Sequence, residues 1–349
     1  MHREAERLTG ATPTPETLKR AVEQRLPVEQ DGAASWSWAA LTLLAATLHD
    51  HDETVTSCAL LVGPAPRVVV GSPERPDGEG WHVSVILDGE AGVPGPATEE
   101  HRYVLEDLIA VRTVASGALP TEAAALLELY LPYALGALHA RRVCRPFTVG
   151  HFAQSLDGRI ATDAGDSRWI GCDENRVHAH RMRALCDGIL IGARTLHTDQ
   201  PALTVRHTEG PDPVRIVLGR AADVGCLERA GPSPILVVGE GDHPSSPQVE
   251  RVALPRANGL IATSSVLREL FDHGIHSLYI EGGSTTTSAF LAEGNIDVLQ
   301  LHISPMIMGP GINSFSKPWV HSVAESVRFQ RHLYQSVGDG VMFVGRVAQ

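Results

Sequence analysis

The spacing of apolar positions changes several times along the chain. Residues 1–30 are mostly polar, with a short helix predicted over Pro15–Glu23. From Trp36 to Leu48 (WSWAALTLLAATL) the residues are strong helix formers, and Ser35 stands where an N-cap belongs. Two short β-rich runs follow, SCALLVG (57–63) and RVVVG (67–71), joined by Pro64-Ala65-Pro66 in the manner of a hairpin. WHVSVILDG (81–89) alternates as a strand does, and the Gly- and Pro-rich stretch Gly89–Ala97 breaks the pattern. Helices are predicted over His101–Ser116 and Thr121–Arg141. The second is apolar on more than one face, which predicts burial in a domain or dimer contact.

The texture changes at Arg145-Pro146. Strands are predicted at Phe147–Ala153, Gly188–Gly192, Ser277–Ile280, Val298–Ile303 and Val341–Val344. VRIVLG (214–219) and ILVVG (235–239) are unbroken apolar runs, as in parallel strands buried on both faces. Helices are predicted over Asp173–Cys186, with Asp173 as cap, over Ser264–His273, closed by Gly274, and over Ser284–Glu293. Strands alternating with helices predict an α/β domain with a mostly parallel sheet. The chain thus divides into a smaller α+β region over residues 1–145 and an α/β domain over 146–349.

Composition narrows the function classes. Apolar content of 43% and charged content of 20% are those of a globular chain. The 41 acidic residues outnumber the 29 basic ones, for a net charge of -12, and nucleic-acid binding needs a basic face. Five cysteines are scattered and never form a CxxC pair, which predicts reduced thiols and no zinc site. His49 and His51, like His178 and His180, are two apart, a helical spacing that points side chains to different faces. The opening MHREAER is not a signal peptide, and no membrane span was expected, so a cytoplasmic protein is the expectation.

Three segments carry candidate chemistry. In IEGGSTTTSA (280–289) a strand ends, two glycines turn the chain, and a helix opens on hydroxyl residues Ser284 to Thr287. Such a turn offers amides and hydroxyls to an anion, although an ordinary capped helix reads the same way. SLDGRIATDAGDSRWI (155–170) brackets a short segment with tight turns and sets Trp169 after Asp-Ser-Arg; its plain reading is a hairpin with a packed tryptophan. GARTLHTDQPALTVR (192–206) reads as a turn-rich loop offering Thr195, Asp199 and Arg206 to a ligand. Arg183, late on the 173–186 helix, could join Arg206 in gripping an anion, though surface arginines are mostly solvated.

In order from Ser155 to Gly311, SLDGRIAT, GDSRWI, RMRALCDGILIGARTLHTDQPALTVR, RIVLGR and YIEGGSTTTSAFLAEGNIDVLQLHISPMIMGPG resemble the reductase domain of bacterial riboflavin biosynthesis. The resemblance implies a dihydrofolate-reductase-like fold, NADPH as hydride donor, a phosphorylated ribosylaminopyrimidine as substrate and a homodimer. Carried over by position, it implies that NADPH meets Ala153, Trp169, Thr195, Asp199 and the turn and helix start Gly283, Ser284, Thr285, Thr286 and Thr287. Substrate would meet Ser167, Arg183, Leu203, Arg206 and Glu281. Gly219 stands where the family commonly has Asp, and Arg220 after it either offers a cation to the cofactor's 2′-phosphate or is simply solvated.

The chain departs from the family in places. His151 stands where lysine is usual, and Gln200 replaces a second acidic residue. Bifunctional members carry a zinc deaminase upstream; here His51-Asp52-Glu53 forms HxE but no CxxC follows. Residues 1–145 are then either a degenerate relic or an unrelated accessory domain. Three functions stay open: reductase of the riboflavin intermediate or a close analogue, reductase of a pterin or secondary-metabolite precursor, or a non-catalytic nucleotide-binding regulator.

Overall fold

In the computed structural model the described residues are 32–50, 55, 57–62, 64–70, 81–86, 100–108, 110–115, 119–220, 223–239, 246–256, 260–316 and 320–348. The helix expected over Pro15–Glu23, the break at Gly89–Ala97 and the His51–Glu53 motif lie outside them.

The N-terminal unit opens with α1 (Ala33–His49), which presents Ala34, Trp38, Leu41, Leu44 and Leu48 on one buried face. It starts two residues before the expected cap, with Gly32 rather than Ser35 at the N-cap. Strands β1 (Ser57–Val62) and β2 (Arg67–Val70) form the expected antiparallel hairpin, and β3 (Trp81–Ile86) lies on the other side of β1. The helix expected over His101–Ser116 is instead a pair of antiparallel strands, β4 (Glu100–Asp107) and β5 (Ala110–Ala115), completing a sheet of order β2-β1-β3-β4-β5. The β-branched Val104, Val111, Thr113 and Val114 suit a pleated surface, and parallel pairing with β3 decides between the two periods.

Residues Thr121–Val143 form two helices rather than one, α2 (Thr121–Ala134) and α3 (Gly136–Val143). Taken together they are long and apolar enough to cross a membrane by composition, but 72% of that apolar stretch is buried in the protein. They are core helices. Tyr130 meets the Trp38 ring edge-on at 5.4 Å, and the Trp38 indole N–H donates to the Glu209 carbonyl at 2.7 Å.

The second unit is built on nine strands: β6 (Phe147–Ser155), β8 (Gly188–Gly192), β9 (Val214–Leu218), β10 (Ile235–Val238), β11 (Val249–Val252), β12 (Ser277–Gly282), β13 (Val298–Ser304), β15 (Phe329–Val337) and β16 (Gly340–Val347). Their order is β11-β10-β9-β8-β12-β6-β13-β16-β15. All pairings from β11 to β13 are parallel, and β16 and β15 join antiparallel at one edge. A small antiparallel pair, β7 (Arg159–Thr162) with β14 (Gly311–Asn313), stands beside the sheet. The connecting helices are α4 (Asp173–Leu185), α5 (Ala193–Asp199), α6 (Gly225–Ala230), α7 (Thr263–Asp272) and α8 (Ser284–Ala292). At the start of α4 the N-cap is Cys172, whose Sγ accepts the Asn175 N–H; the expected cap, Asp173, is the first helical residue.

Side chains alternate between the two faces of this sheet. Leu190, Ile216, Leu236, Leu278 and Ile280 pack under α7 and α8 through Val266, Leu267, Leu270 and Phe290. The opposite face carries Phe147, Val149, Ile189, Ile191, Val217 and Tyr279, and it forms one continuous core with Met182 and Leu185 of α4 and with Trp38, Leu41, Tyr130 and Leu131 of the N-terminal helices. The two units therefore share a hydrophobic interior.

Candidate active site

Strand β12 lies between β8, which leads outward to β9–β11, and β6, which leads the other way. Ligands favour the crevice at the carboxyl ends of strands where an open parallel sheet reverses its order. A cavity of about 390 Å³ opens at that place, at the ends of β6, β8 and β12. Its walls include Ala153, Ser167, Thr195, Asp199, Glu281, Gly283, Ser284, Thr285 and Thr286, all singled out from the sequence.

The cofactor side is a cradle of hydroxyls. The Gly282–Gly283 peptide is cis, and the Gly283 N–H donates to Thr195 Oγ1 at 2.9 Å. A methyl group at Gly192 would approach Thr286 Oγ1 to 2.5 Å, so the absence of a side chain at the end of β8 leaves room for that hydroxyl. The hydroxyls of Ser284 and Thr287 are buried with no protein partner. Buried polar atoms are costly when left unpaired, and two at one helix start fit an anion or sugar ligand. Asp199, partly covered, has its carboxyl pushed up by burial.

The opposite side is charged. Arg183 donates from Nε to Glu281 Oε1 at 2.7 Å and from Nη2 to Oε2 at 2.8 Å, and its Nη1 donates to the Thr204 carbonyl. Burial works against the Arg183 charge, but the Glu281 carboxylate outweighs it and holds the guanidinium above its ordinary range. Arg206 is exposed next to this pair; burial and then the nearby Arg183 push its guanidinium down. The Arg206 main-chain N–H donates to His180 Nδ1 at 2.9 Å, and its guanidinium donates to Thr204 Oγ1 at 2.7 Å. Burial, Arg183 and Arg206 lower His180 to about 3, so this imidazole is neutral and serves as an acceptor.

Not every assigned residue reaches the cavity wall. Trp169 is 73% exposed beside it, with the Arg176 guanidinium stacked 4.8 Å from its ring. Leu203 is buried and holds a left-handed backbone (φ 55°). Arg183, Arg206, Thr287 and the exposed Arg220 are likewise outside the lining set.

Several lining residues escaped the sequence reading. Asn175 and Ala179 line the cavity two and one helical turns before Arg183 on α4, so the periodicity of that helix was the available signal. Arg194 and Thr198 were hidden because 192–206 read as a loop; Ala193–Asp199 is helical, turning Leu196 inward and Arg194, Thr195, Thr198 and Asp199 toward the cavity.

His151 also lines the cavity. It is 4% exposed, near His178 (ring centroids 5.5 Å apart) and Tyr279 (5.8 Å). Burial first, then His178 and His302, hold its pKa far below the ordinary histidine value, so it is neutral. Behind it runs a buried polar chain. Tyr130 Oη lies 2.9 Å from His178 Nδ1, and His178 Nε2 lies 3.0 Å from Gln300 Oε1. Gln300 pairs with His151 in the sheet register.

Similarity to known proteins is concentrated in this unit. Residues 146–343 match the family model described as the RibD C-terminal domain. The riboflavin biosynthesis protein RibD of Aquifex aeolicus is 30% identical over 206 residues, 57% of each chain. The 2,5-diamino-6-ribosylamino-4(3H)-pyrimidinone 5′-phosphate reductase of Methanothermobacter thermautotrophicus is 33% identical over 180 residues, 47% of this chain and 80% of that one. Against RibD of Mycobacterium tuberculosis the identity is 29%, and the chain spans 56% of that protein; it thus covers little more than half the length of these RibD relatives. A solved deaminase/reductase of Thermotoga maritima shares the fold at 22% identity with a TM-score of 0.59, over 91% of this chain and 100% of that one. That likeness in fold extends beyond residues 146–343 into the N-terminal unit. By the match over its nine-stranded unit, the chain belongs to the RibD C-terminal domain family.

Proposed function

We propose that the chain is an NADPH-dependent reductase of 5-amino-6-(5-phosphoribosylamino)uracil or a close analogue. The observation that carries this reading is the two-sided cavity at the ends of β6, β8 and β12, with the unpartnered buried hydroxyl of Ser284 on one wall and Glu281, fastened from behind by Arg183, on the other. The names of the relatives, including the Methanothermobacter reductase, support the same substrate class.

The residues present fit a dinucleotide. Thr195, Gly283, Ser284, Thr285 and Thr286 would hold it, with the helix start of α8 favouring its phosphates. When bound, the cofactor supplies hydride to the sugar C1′ of an opened ribosylamine. The protein's part is orientation and exclusion of water. Ser167 and Arg206 suit the substrate phosphate. Glu281, immobilised by Arg183, offers a fixed acceptor for sugar hydroxyls. His151, being neutral, can exchange a hydrogen bond with the heterocycle without adding charge.

The test is purified full-length protein supplied with NADPH and the deaminated aminopyrimidine phosphate. Substrate-dependent loss of NADPH absorbance is expected; tight NADPH binding without turnover on any aminopyrimidine nucleotide would overturn the proposal. The neutral His151 favours a second reading, in which the same site reduces a pterin or a secondary-metabolite precursor. Faster turnover of a dihydropterin than of the uracil compound would select it. The family likeness also leads us to propose a homodimer in the cytoplasm; sedimentation at a mass of one chain would remove the dimer.

A further inference from the structure

Apart from the cavity, one cluster of ligating side chains stands out among the described residues, on the seam between the two units. His49 ends α1 of the N-terminal unit, Asp187 lies in the turn from α4 to β8, and His276 immediately precedes β12. One donor atom from each lies within 4.8 Å of the other two. His49 Nδ1 is 3.0 Å from Asp187 Oδ1, and the His49 and His276 ring centroids are 5.0 Å apart. Ligands about 2.0–2.2 Å from a tetrahedral ion are themselves about 3.3 Å apart, so a rotamer adjustment of His276 closes the set.

The carboxylate is already oriented. Asp187 Oδ2 accepts the main-chain N–H groups of His276 and Ser277, each at 2.8 Å, which leaves Oδ1 directed at His49. Such outer hydrogen bonds fix first-sphere ligands in metal sites. Phe271 packs edge-on against the His276 ring, 5.3 Å between centroids. The side chain of His49 is 37% exposed and that of Asp187 19%, so an ion has access and a fourth position can hold water. Arg141 is near but occupied: its guanidinium donates to the carbonyls of Leu48 and His49.

We propose that His49, Asp187 and His276 bind one divalent transition-metal ion of the zinc class, clasping the N-terminal unit to the nine-stranded sheet. Two imidazoles and a carboxylate favour zinc over magnesium or calcium, which select oxygen ligands. The ligands come from three distant segments, so the site has no motif in the sequence, and it is separate from the zinc centre of a deaminase.

The test uses chelator-stripped full-length protein titrated with Zn2+ against a chromophoric competitor. One ion per chain is expected, with Co2+ giving the visible bands of a four- or five-coordinate site. His49→Ala and His276→Ala should each weaken Zn2+ binding at least about tenfold. Zn2+ should raise the Tm of the wild type and of neither variant. His49→Gln, which keeps a polar side chain at the seam, should also lose the ion and thereby separate ligation from folding. No uptake of micromolar Zn2+ at neutral pH, or unchanged affinity in all the variants, would overturn the proposal.

Discussion

Arg183 and Glu281 face each other through two parallel hydrogen bonds, Nε to Oε1 at 2.7 Å and Nη2 to Oε2 at 2.8 Å, with Glu281 on the wall of the cavity and Arg183 behind it. The two arginines of the site are therefore not equivalent. Arg183 orders a carboxylate, whereas Arg206, more exposed, keeps its charge available to a ligand anion. Removing one partner of a largely buried pair leaves the other uncompensated, at a cost of about 3 kcal/mol. Arg183→Ala should lower the urea midpoint accordingly and abolish turnover. Arg206→Ala should raise the KM for a phosphorylated substrate with little change in stability or NADPH affinity. Equal losses of stability in the two variants would contradict this division.

Gly192 is a second point of sensitivity. A Cβ there meets Thr286 Oγ1 at 2.5 Å, so Gly192→Ala must turn or shift the Thr286 hydroxyl on the cavity wall. Dinucleotide affinity, read by NADPH fluorescence, should fall at least about tenfold, because small misplacements at a binding surface are costly. Far-UV circular dichroism should be unchanged, since β8 itself tolerates alanine.

Acid stability should depend on Asp297. Burial pushes its carboxyl up, but His139, 3.6 Å away, and the hydrogen-bonded Arg145 guanidinium outweigh it and hold it well below the ordinary range. Arg145 donates to both oxygens, at 2.7 and 2.8 Å, and Thr148 adds its N–H and hydroxyl. Since the folded pKa is depressed, the stabilisation is complete above the unfolded value of about 3.9 and fades as pH falls toward the folded value. Denaturation midpoints of the wild type should drop between roughly pH 5 and pH 2. Asp297→Asn should be less stable at neutral pH and show a shallower acid slope.

Tyr130→Phe tests the seam from inside. The change leaves His178 Nδ1 buried without its 2.9 Å partner, costing about 1–3 kcal/mol. His178 continues through Gln300 to the strand pair that holds His151, so turnover should fall as well. A loss of stability with kcat and KM untouched would show that the polar chain ends at His178.

Much of the α/β unit was legible from periodicity alone. The run at 235–238 is wholly apolar and that at 214–218 is apolar but for Arg215, whose buried guanidinium is met by the carbonyls of Leu227, Gly231 and Ser233; both are strands covered on both faces. Gly274, with φ 78°, ends α7 where a left-handed residue was needed. Legibility failed where a short segment satisfied two periods. Residues 101–116 could be helix or strand until β3 offered an edge, and 193–199 looked like a loop because about two turns of helix carry little apolar signal. Of the site, the hydroxyl cradle was readable because it is contiguous in sequence. The Arg183–Glu281 pair joins residues 98 apart, and no local rule links them. Both had been assigned to the substrate, but only folding shows one fastening the other.

The interior shared by the two units also bears on how variation in the N-terminal unit would register in a living cell. Trp38, Leu41 and Tyr130 sit in the same core as Ile189, Val217 and Tyr279. A cavity-forming change at Leu41, with no contact to any ligand, costs about 2–5 kcal/mol. Such a loss raises the fraction of chains open to proteolysis and cuts abundance several-fold. The surviving molecules would turn over at the normal rate, so a screen for low activity would return N-terminal variants that purified enzyme, assayed per mole of folded protein, would score as intact.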